Sequence, residues 1–230
     1  MNSYFVKSGY TPNLDSDNQV VEQYTAIPNN KTYQISCYKF AANIIKAQGL
    51  KTCIELGSGS GYKLNKYIAP LVNKAVGIDM QHSVDHCKNI YPKVEWVCDD
   101  FDNPTNTIAD KFDMVVSFDV IEHLVYPDKL IGKMKSYAKP GSVLLISTPE
   151  RDLLWGKDHF GPSANRKHVR EWNQEEFANL LSFHGLQIER HIILPDQEFS
   201  LRDRIWAFRN GIKLSSQNTC QLAVCKIAAN

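Results

Sequence analysis

The chain has 230 residues, with 26 Lys and Arg against 25 Asp and Glu for a formal charge of +1, and 43% hydrophobic and 22% charged side chains. The length fits one domain, or one domain with an appendage, and the composition excludes a disordered chain. So even a charge balance supplies no global field for a polyanion or a membrane surface, and no apolar run nears the roughly 20 residues that cross a bilayer.

The start, Met1 to Gln19, is polar and lacks a basic-then-apolar leader, so a cytoplasmic location is expected. Residues 1–32 carry Tyr10 and Tyr24 in a polar stretch leading to Tyr33, and are expected to cover the site and to order on ligand binding, ahead of a single domain at 33–230. From Tyr33 to Ala47, Ile35, Tyr38, Ala41, Ile44 and Ile45 recur at helical spacing, with Gly49 as a stop. Five short apolar runs follow: Thr52 to Leu56, Ala75 to Asp79, Val94 to Val97, Met114 to Phe118 and Val143 to Ser147. Alternating with helical stretches, they predict parallel strands covered on both faces.

Asn173, with Glu176 three residues on, opens another helix that ends before Gly185. Leu186 to Leu194 and Thr219 to Ile227 predict two further strands, consecutive and therefore an antiparallel hairpin at one edge. Between them Leu201, Ile205 and Phe208 share one helical face, which predicts a helical insertion near 198–212; Arg202, Arg204 and Arg209 read as its solvated side. The sum is an α/β, doubly wound seven-stranded sheet, mostly parallel with an antiparallel edge hairpin. The six cysteines (Cys37, Cys53, Cys87, Cys98, Cys220, Cys225) form no C-x-x-C and are expected as free thiols.

Chemistry concentrates first at Glu55-Leu56-Gly57-Ser58-Gly59-Ser60-Gly61, between a strand and a helix that begins near Tyr62. Its glycines permit a tight turn and close approach of a ligand to the backbone, but the spacing is neither that of dinucleotide enzymes nor a P-loop. Glu55 would repel a pyrophosphate and attract a cationic amine. Asp79, ending the next strand, can accept both hydroxyls of a ribose, and Asp99-Asp100-Phe101 after the third strand can receive an adenine amino group beside an aromatic ring. An amine, a ribose diol and an adenine together describe S-adenosylmethionine.

On these residues, with Phe112 to Leu124 and Lys139 to Pro149, the chain resembles the class I S-adenosylmethionine-dependent methyltransferases over about Tyr33 to Ile227. The resemblance implies a Rossmann-like fold and cofactor contacts at Gly57, Gly59, Asp79, Asp100, Phe101 and Asp119; Glu55, Ser58, Gly61, Met80, Asp99 and Phe118, within or beside the same segments, complete the expected cofactor-binding set. Methyl transfer to a hydroxyl also needs a base. His123, after the fourth strand, is the nearest candidate, and His168 lies in a later connection that can return over the same edge.

Asp119, Glu122, His123 and His168 also resemble the metal-binding set of small-RNA terminal 2′-O-methyltransferases and, in part, the motif of quinone-biosynthesis O-methyltransferases. Asp119 stands where those families have Glu and doubles as a cofactor contact, so no metal ligands are assigned and a divalent metal is not the favoured cofactor. All seven arginines follow Pro149, and Arg166 and Arg170, beside His168, are candidates to read an anionic or oxygen-rich acceptor. Trp155 and Trp172 could wall it, though Trp172 equally fits the core. The resulting expectation is O-methylation of a small-molecule or saccharide acceptor. RNA 2′-O-methylation with metal assistance is an alternative that the missing basic face weakens, and a non-catalytic cofactor-binding regulatory subunit is another. Nucleic acid and a membrane span are not expected as partners, and the oligomeric state is open.

Overall fold

The computed structural model describes residues 4–14 and 32–228. Among them, seven strands hydrogen-bond into one sheet: β1 (Thr52–Leu56), β2 (Lys74–Asp79), β3 (Glu95–Cys98), β4 (Phe112–Phe118), β5 (Ala138–Pro149), β6 (Leu186–Pro195) and β7 (Asn218–Ile227). Their order is β3-β2-β1-β4-β5-β7-β6. The first five are parallel, whereas β7 runs antiparallel between β5 and β6, so the expected hairpin occupies the edge with β6 outermost. The chain begins mid-sheet at β1, steps out to β3 and returns to β4 on the other side of β1. That reversal leaves a crevice at the carboxyl ends of β1 and β4, where ligands of such sheets bind.

Alternation along each strand sends side chains to two cores. Ile54, Leu56, Val76, Ile78, Val115, Leu144 and Ile146 pack with α3 (Pro127–Tyr137) and α5 (Gln174–Phe183) through Leu130, Ile131, Met134, Phe177, Leu180 and Leu181. Cys53, Met114, Val116, Leu145, Leu222 and Val224 face α1 (Ile35–Gln48) and α2 (Gln81–Ile90) through Cys37, Tyr38, Ala41, Ile45, Val84 and Cys87. Near-continuous apolar strands are what burial of both faces requires.

Gly49 ends α1 in a left-handed conformation, its N–H donating to the Ile45 carbonyl. Asn173 and Glu176 cap each other's backbone N–H at the start of α5. The helix expected near Tyr62 is a widened turn over Leu64–Ile68 that tightens at Ala69–Leu71, where Pro70 interrupts it. The short α4 (Arg151–Trp155) follows β5, and α6 (Leu201–Arg209) lies between β6 and β7.

Residues 4–14 strap the outside of the connection after β5. The Trp172 Nε1–H donates to the Tyr4 carbonyl, the Lys7 N–H to Glu176, the Thr11 N–H to the Phe160 carbonyl and the Asn13 N–H to the Val169 carbonyl. Tyr24 of the expected cover lies outside the described residues. Every cysteine is free; Cys98 is partly exposed and the others are buried. Among the described residues no helix is long and apolar enough to cross a membrane.

Candidate active site

The turn after β1 is built around Gly57, at φ 86°, where a Cβ would stand 2.2 Å from Val120 Cγ2. Gly61, at φ 68°, admits the Trp96 ring 2.6 Å from where its Cβ would be. Only glycine serves either position. Beyond this turn a cavity of about 320 Å³ opens between the ends of β1, β2 and β4, within the size range of small-ligand sites.

Gly57, Ser58, Gly59 and Asp79 line one side of it; Met80, Asp100, Phe101, Phe118 and Asp119 line the rest, with Gln34 and Tyr38 from the start of α1. Asp79 accepts from the N–H groups of Gly59 (2.7 Å) and Met80 (2.8 Å). Burial still raises its carboxyl above the ordinary range, against the pull of those two bonds and of Ser83. The ionised carboxylate is thus short of donors, and a diol reaching it would supply them.

Three residues expected at the cofactor are placed elsewhere. Asp99 turns away from the cavity, accepting from the N–H groups of Asp100, Thr105 and Asn106 and lying 3.0 Å from Lys133 Nζ, so it orders the loop that carries Asp100. Gly61 does not line the cavity and instead admits Trp96. Glu55 is fully buried beneath the turn, on the α1 side of the sheet. Tyr38 Oη donates to its Oε1, and Oε2 has no hydrogen-bond partner. Burial raises the Glu55 carboxyl to about 7, outweighing Tyr38 and the nearby Lys63, whose own ammonium burial pushes down.

A second cavity of about 380 Å³ adjoins the first, sharing Gln34, Asp119 and His123 as walls. Asp119 sits in the left-handed region at φ 52°, an uncommon conformation for a residue with a side chain. Its carboxylate accepts from Ser147 Oγ at 2.7 Å and its N–H donates to the Ser147 carbonyl. His123 and His168, far apart in the chain, meet edge to face with ring centres 4.8 Å apart.

The Lys167 carbonyl, 2.8 Å from His123 Nδ1, can only accept, which fixes the proton on Nδ1 and leaves Nε2 as an acceptor. Burial, and then His168, hold the His123 imidazole well below its ordinary range, so it is neutral at pH 7. His168 Nδ1 lies 2.5 Å from Glu171 Oε1, and Asn165 Nδ2 lies 2.8 Å from its Nε2. Burial pushes the Glu171 carboxyl up, but bonds from His168, Ser163 and Trp155 outweigh it and leave the group low and charged.

Glu122 is fully buried, with Oε2 accepting from Thr148 Oγ1 at 3.0 Å and Oε1 unpartnered 3.9 Å from His123 Nε2. Burial, and then Asp119, raise it well above the carboxylate range.

Both predicted histidines therefore reach one site. Glu171 and Asn165 were not singled out: their link to His168 runs through an irregular loop, and the spacing His168-x-x-Glu171 is the one trace they leave. Trp155 walls the second cavity, whereas Trp172 is fully buried in the core. Arg170 is buried, donating to the carbonyls of Leu124 and Val125 with its guanidinium 4.6 Å from the Tyr4 ring, so it anchors the loop instead of reading an acceptor. Arg166 is exposed and lines neither cavity. Residues 4–14 likewise line neither; Tyr10 accepts from the Glu171 N–H and braces the loop from behind.

The family model described as a methyltransferase domain matches residues 34–191. A protein of Mycolicibacterium smegmatis named a probable S-adenosylmethionine-dependent methyltransferase is 31% identical over 144 residues, 59% of this chain and 52% of its own. A ubiquinone biosynthesis O-methyltransferase of Haemophilus ducreyi is 33% identical over 119 residues, 47% of this chain and 50% of its own. The chain spans about half the length of these relatives. The crystal structure of the N-methyltransferase NodS of Bradyrhizobium japonicum, in complex with S-adenosyl-L-homocysteine, superposes with a TM-score of 0.63 at 16% identity, covering 94% of this chain and 100% of that one.

Proposed function

The chain belongs to the methyltransferase-domain family, and from that premise we propose that it transfers a methyl group from S-adenosylmethionine to an oxygen of a small-molecule or saccharide acceptor. The observation that carries this reading is the junction of two cavities at Gln34, Asp119 and His123, with the His123–His168–Glu171 cluster on the second cavity's wall. When bound, S-adenosylmethionine supplies a methyl on a sulfonium, an activated leaving group. The residues' part is to position both partners, exclude water and take one proton. Asp79 would hold the ribose hydroxyls, and Asp100 and Phe101 the base.

The 3.9 Å between His123 Nε2 and Glu122 Oε1 can be spanned by one oxygen hydrogen-bonded to both. Burial favours the protonated form of Glu122, which donates to that oxygen, and His123 accepts its proton. A weak base suffices there. As the new O–C bond forms, the hydroxyl becomes a protonated ether, a far stronger acid than imidazolium. Glu171, accepting from His168, keeps that second ring in one tautomer and one orientation. The relatives named for ubiquinone O-methylation agree in reaction class.

A second reading rests on Glu122 Oε1 being buried without a partner: Glu122, His123 and His168 offer ligand atoms within 4.8 Å of one another. A divalent cation there would lower the acceptor's hydroxyl pKa, and His168 would first have to release Asn165 or Glu171. Turnover of labelled methyl groups onto phenolic and saccharide acceptors tests both readings. His123→Ala and His168→Ala should each lower kcat about a hundredfold, with His168→Ala leaving cofactor affinity unchanged. Activity lost to a chelator and restored by Mg²⁺ supports the metal; full activity in both variants contradicts the site.

A further inference from the structure

On α6 (Leu201–Arg209) the residues Leu201, Ile205 and Phe208 share one face, and a helix packed on a core would bury such a face. The structure turns that face to solvent instead: Leu201 is 73% exposed, Ile205 45% and Phe208 88%. Ile212, just past the helix, is 46% exposed, and Trp206, on another face of the helix, 58%. Ala207 is the one residue of the helix that is buried.

The helix is held by its own ends. Ser200 and Asp203 form a reciprocal cap, and Arg209 sits in the last turn. Packing therefore does not account for the apolar stripe. A contiguous exposed patch of large apolar side chains marks a surface that meets something.

The charges around the stripe identify what it meets. At about 100° per residue, Arg202 and Arg209 fall on one flank of the Leu201–Ile205–Phe208 line and Arg204 on the other, and all three are exposed. Lys213 follows in the same exposed segment, and Asp203, the single acid from 199 to 213, is engaged in the cap. The chain as a whole is at +1, yet this segment alone carries four positive charges against one negative. An apolar line bordered on both sides by arginines is the arrangement of a helix lying in the plane of a lipid–water interface. The stripe enters the acyl boundary and the arginines meet phosphates.

We propose that α6 docks this chain on the surface of a bilayer containing anionic lipid. The helix hangs from a short neck, where the Asp196 N–H donates to the Gln217 carbonyl and Ser216 Oγ to the Gln197 carbonyl. Asp196 at that neck lines the cavity assigned to the acceptor. Docking would thus bring this cavity close to the membrane surface. The inference concerns the surface alone and does not depend on which atom is methylated.

Sedimentation of the full chain with vesicles tests it, using phosphatidylcholine alone and phosphatidylcholine with about a third phosphatidylglycerol. The chain should bind the anionic vesicles, and bind less as salt rises. Leu201→Ser with Phe208→Ser should weaken binding tenfold or more. Arg202→Ser and Arg204→Ser should each weaken it about fivefold. Cofactor affinity and the thermal midpoint, unchanged in these variants, show that the fold is intact. Equal binding to neutral vesicles overturns the proposal, as does binding indifferent to all four substitutions. A wild-type dimer that the Leu201→Ser, Phe208→Ser variant converts to monomer, with no vesicle binding, assigns the stripe to a second copy and also overturns it.

Discussion

Glu55 holds a carboxyl under the glycine turn, where water does not reach it, and protonation is the cheaper way to keep it there. Its folded value is near 7 against an ordinary 4.5, so the unfolded chain gives up this proton first as pH rises. The stability it contributes is full below about pH 4.5 and lost as pH climbs through 7. Glu122 acts in the same direction. Glu55→Gln, which keeps the shape and removes the titration, should make the thermal midpoint fall less between pH 5 and pH 8 than in the wild-type chain; an identical fall would contradict the assignment. Glu171 offers a second test, because its charge supports the protonated form of His123. Glu171→Gln should lower kcat tenfold or more and move the acid limb of the kcat profile to lower pH, with cofactor affinity unchanged. The two histidines were legible from their place after β4 and in the connection after β5. Glu55 and Asp99 were read as ligand contacts because a sequence places a carboxylate at a strand end without saying which way the following loop turns it.

At the scale of elements, the β1 turn is the most constrained piece of backbone in the site. Gly57→Ala combines a left-handed φ with a contact of 2.2 Å to Val120 Cγ2. It should cost about 2 kcal/mol or more in denaturant unfolding. Val120→Ala in the same chain should recover the clash and leave the backbone strain, so partial recovery is expected and strict additivity would contradict the packing described. The strands and the capping box of α5 were legible because each rests on local chemistry: continuous apolar runs, a glycine stop, an Asn three residues before a Glu. Apolar periodicity likewise located α6 but could not say whether its stripe faces the core, since a helix meant for burial and one meant for an interface carry the same 3.6-residue spacing. Residues 4–14 illustrate the opposite case. They belong to the 1–32 segment expected, from its tyrosines, to cover the site; their backbone pairs with the loop after β5, contacts that no local pattern encodes.

Across the whole molecule, the strand order brings the ends of β1, β2 and β4 together and sets the connection after β5 against them, so that two cavities share a wall. Parallel order of the first five strands followed from their alternation with helices, and β7 inserts between β5 and β6 at the antiparallel edge. Net charge near zero describes the average surface, so the absence of a global field read from composition leaves the local basic segment at α6 unseen. The central claim is that the first cavity takes S-adenosylmethionine with Asp79 on the ribose. Titration calorimetry tests it most directly. The wild-type chain should bind S-adenosylmethionine more tightly than NADH, and Asp79→Ala, which removes charge-assisted hydrogen bonds of about 1.5–3 kcal/mol each, should weaken that binding tenfold or more. Unchanged affinity in Asp79→Ala, or tighter binding of NADH, would contradict the account.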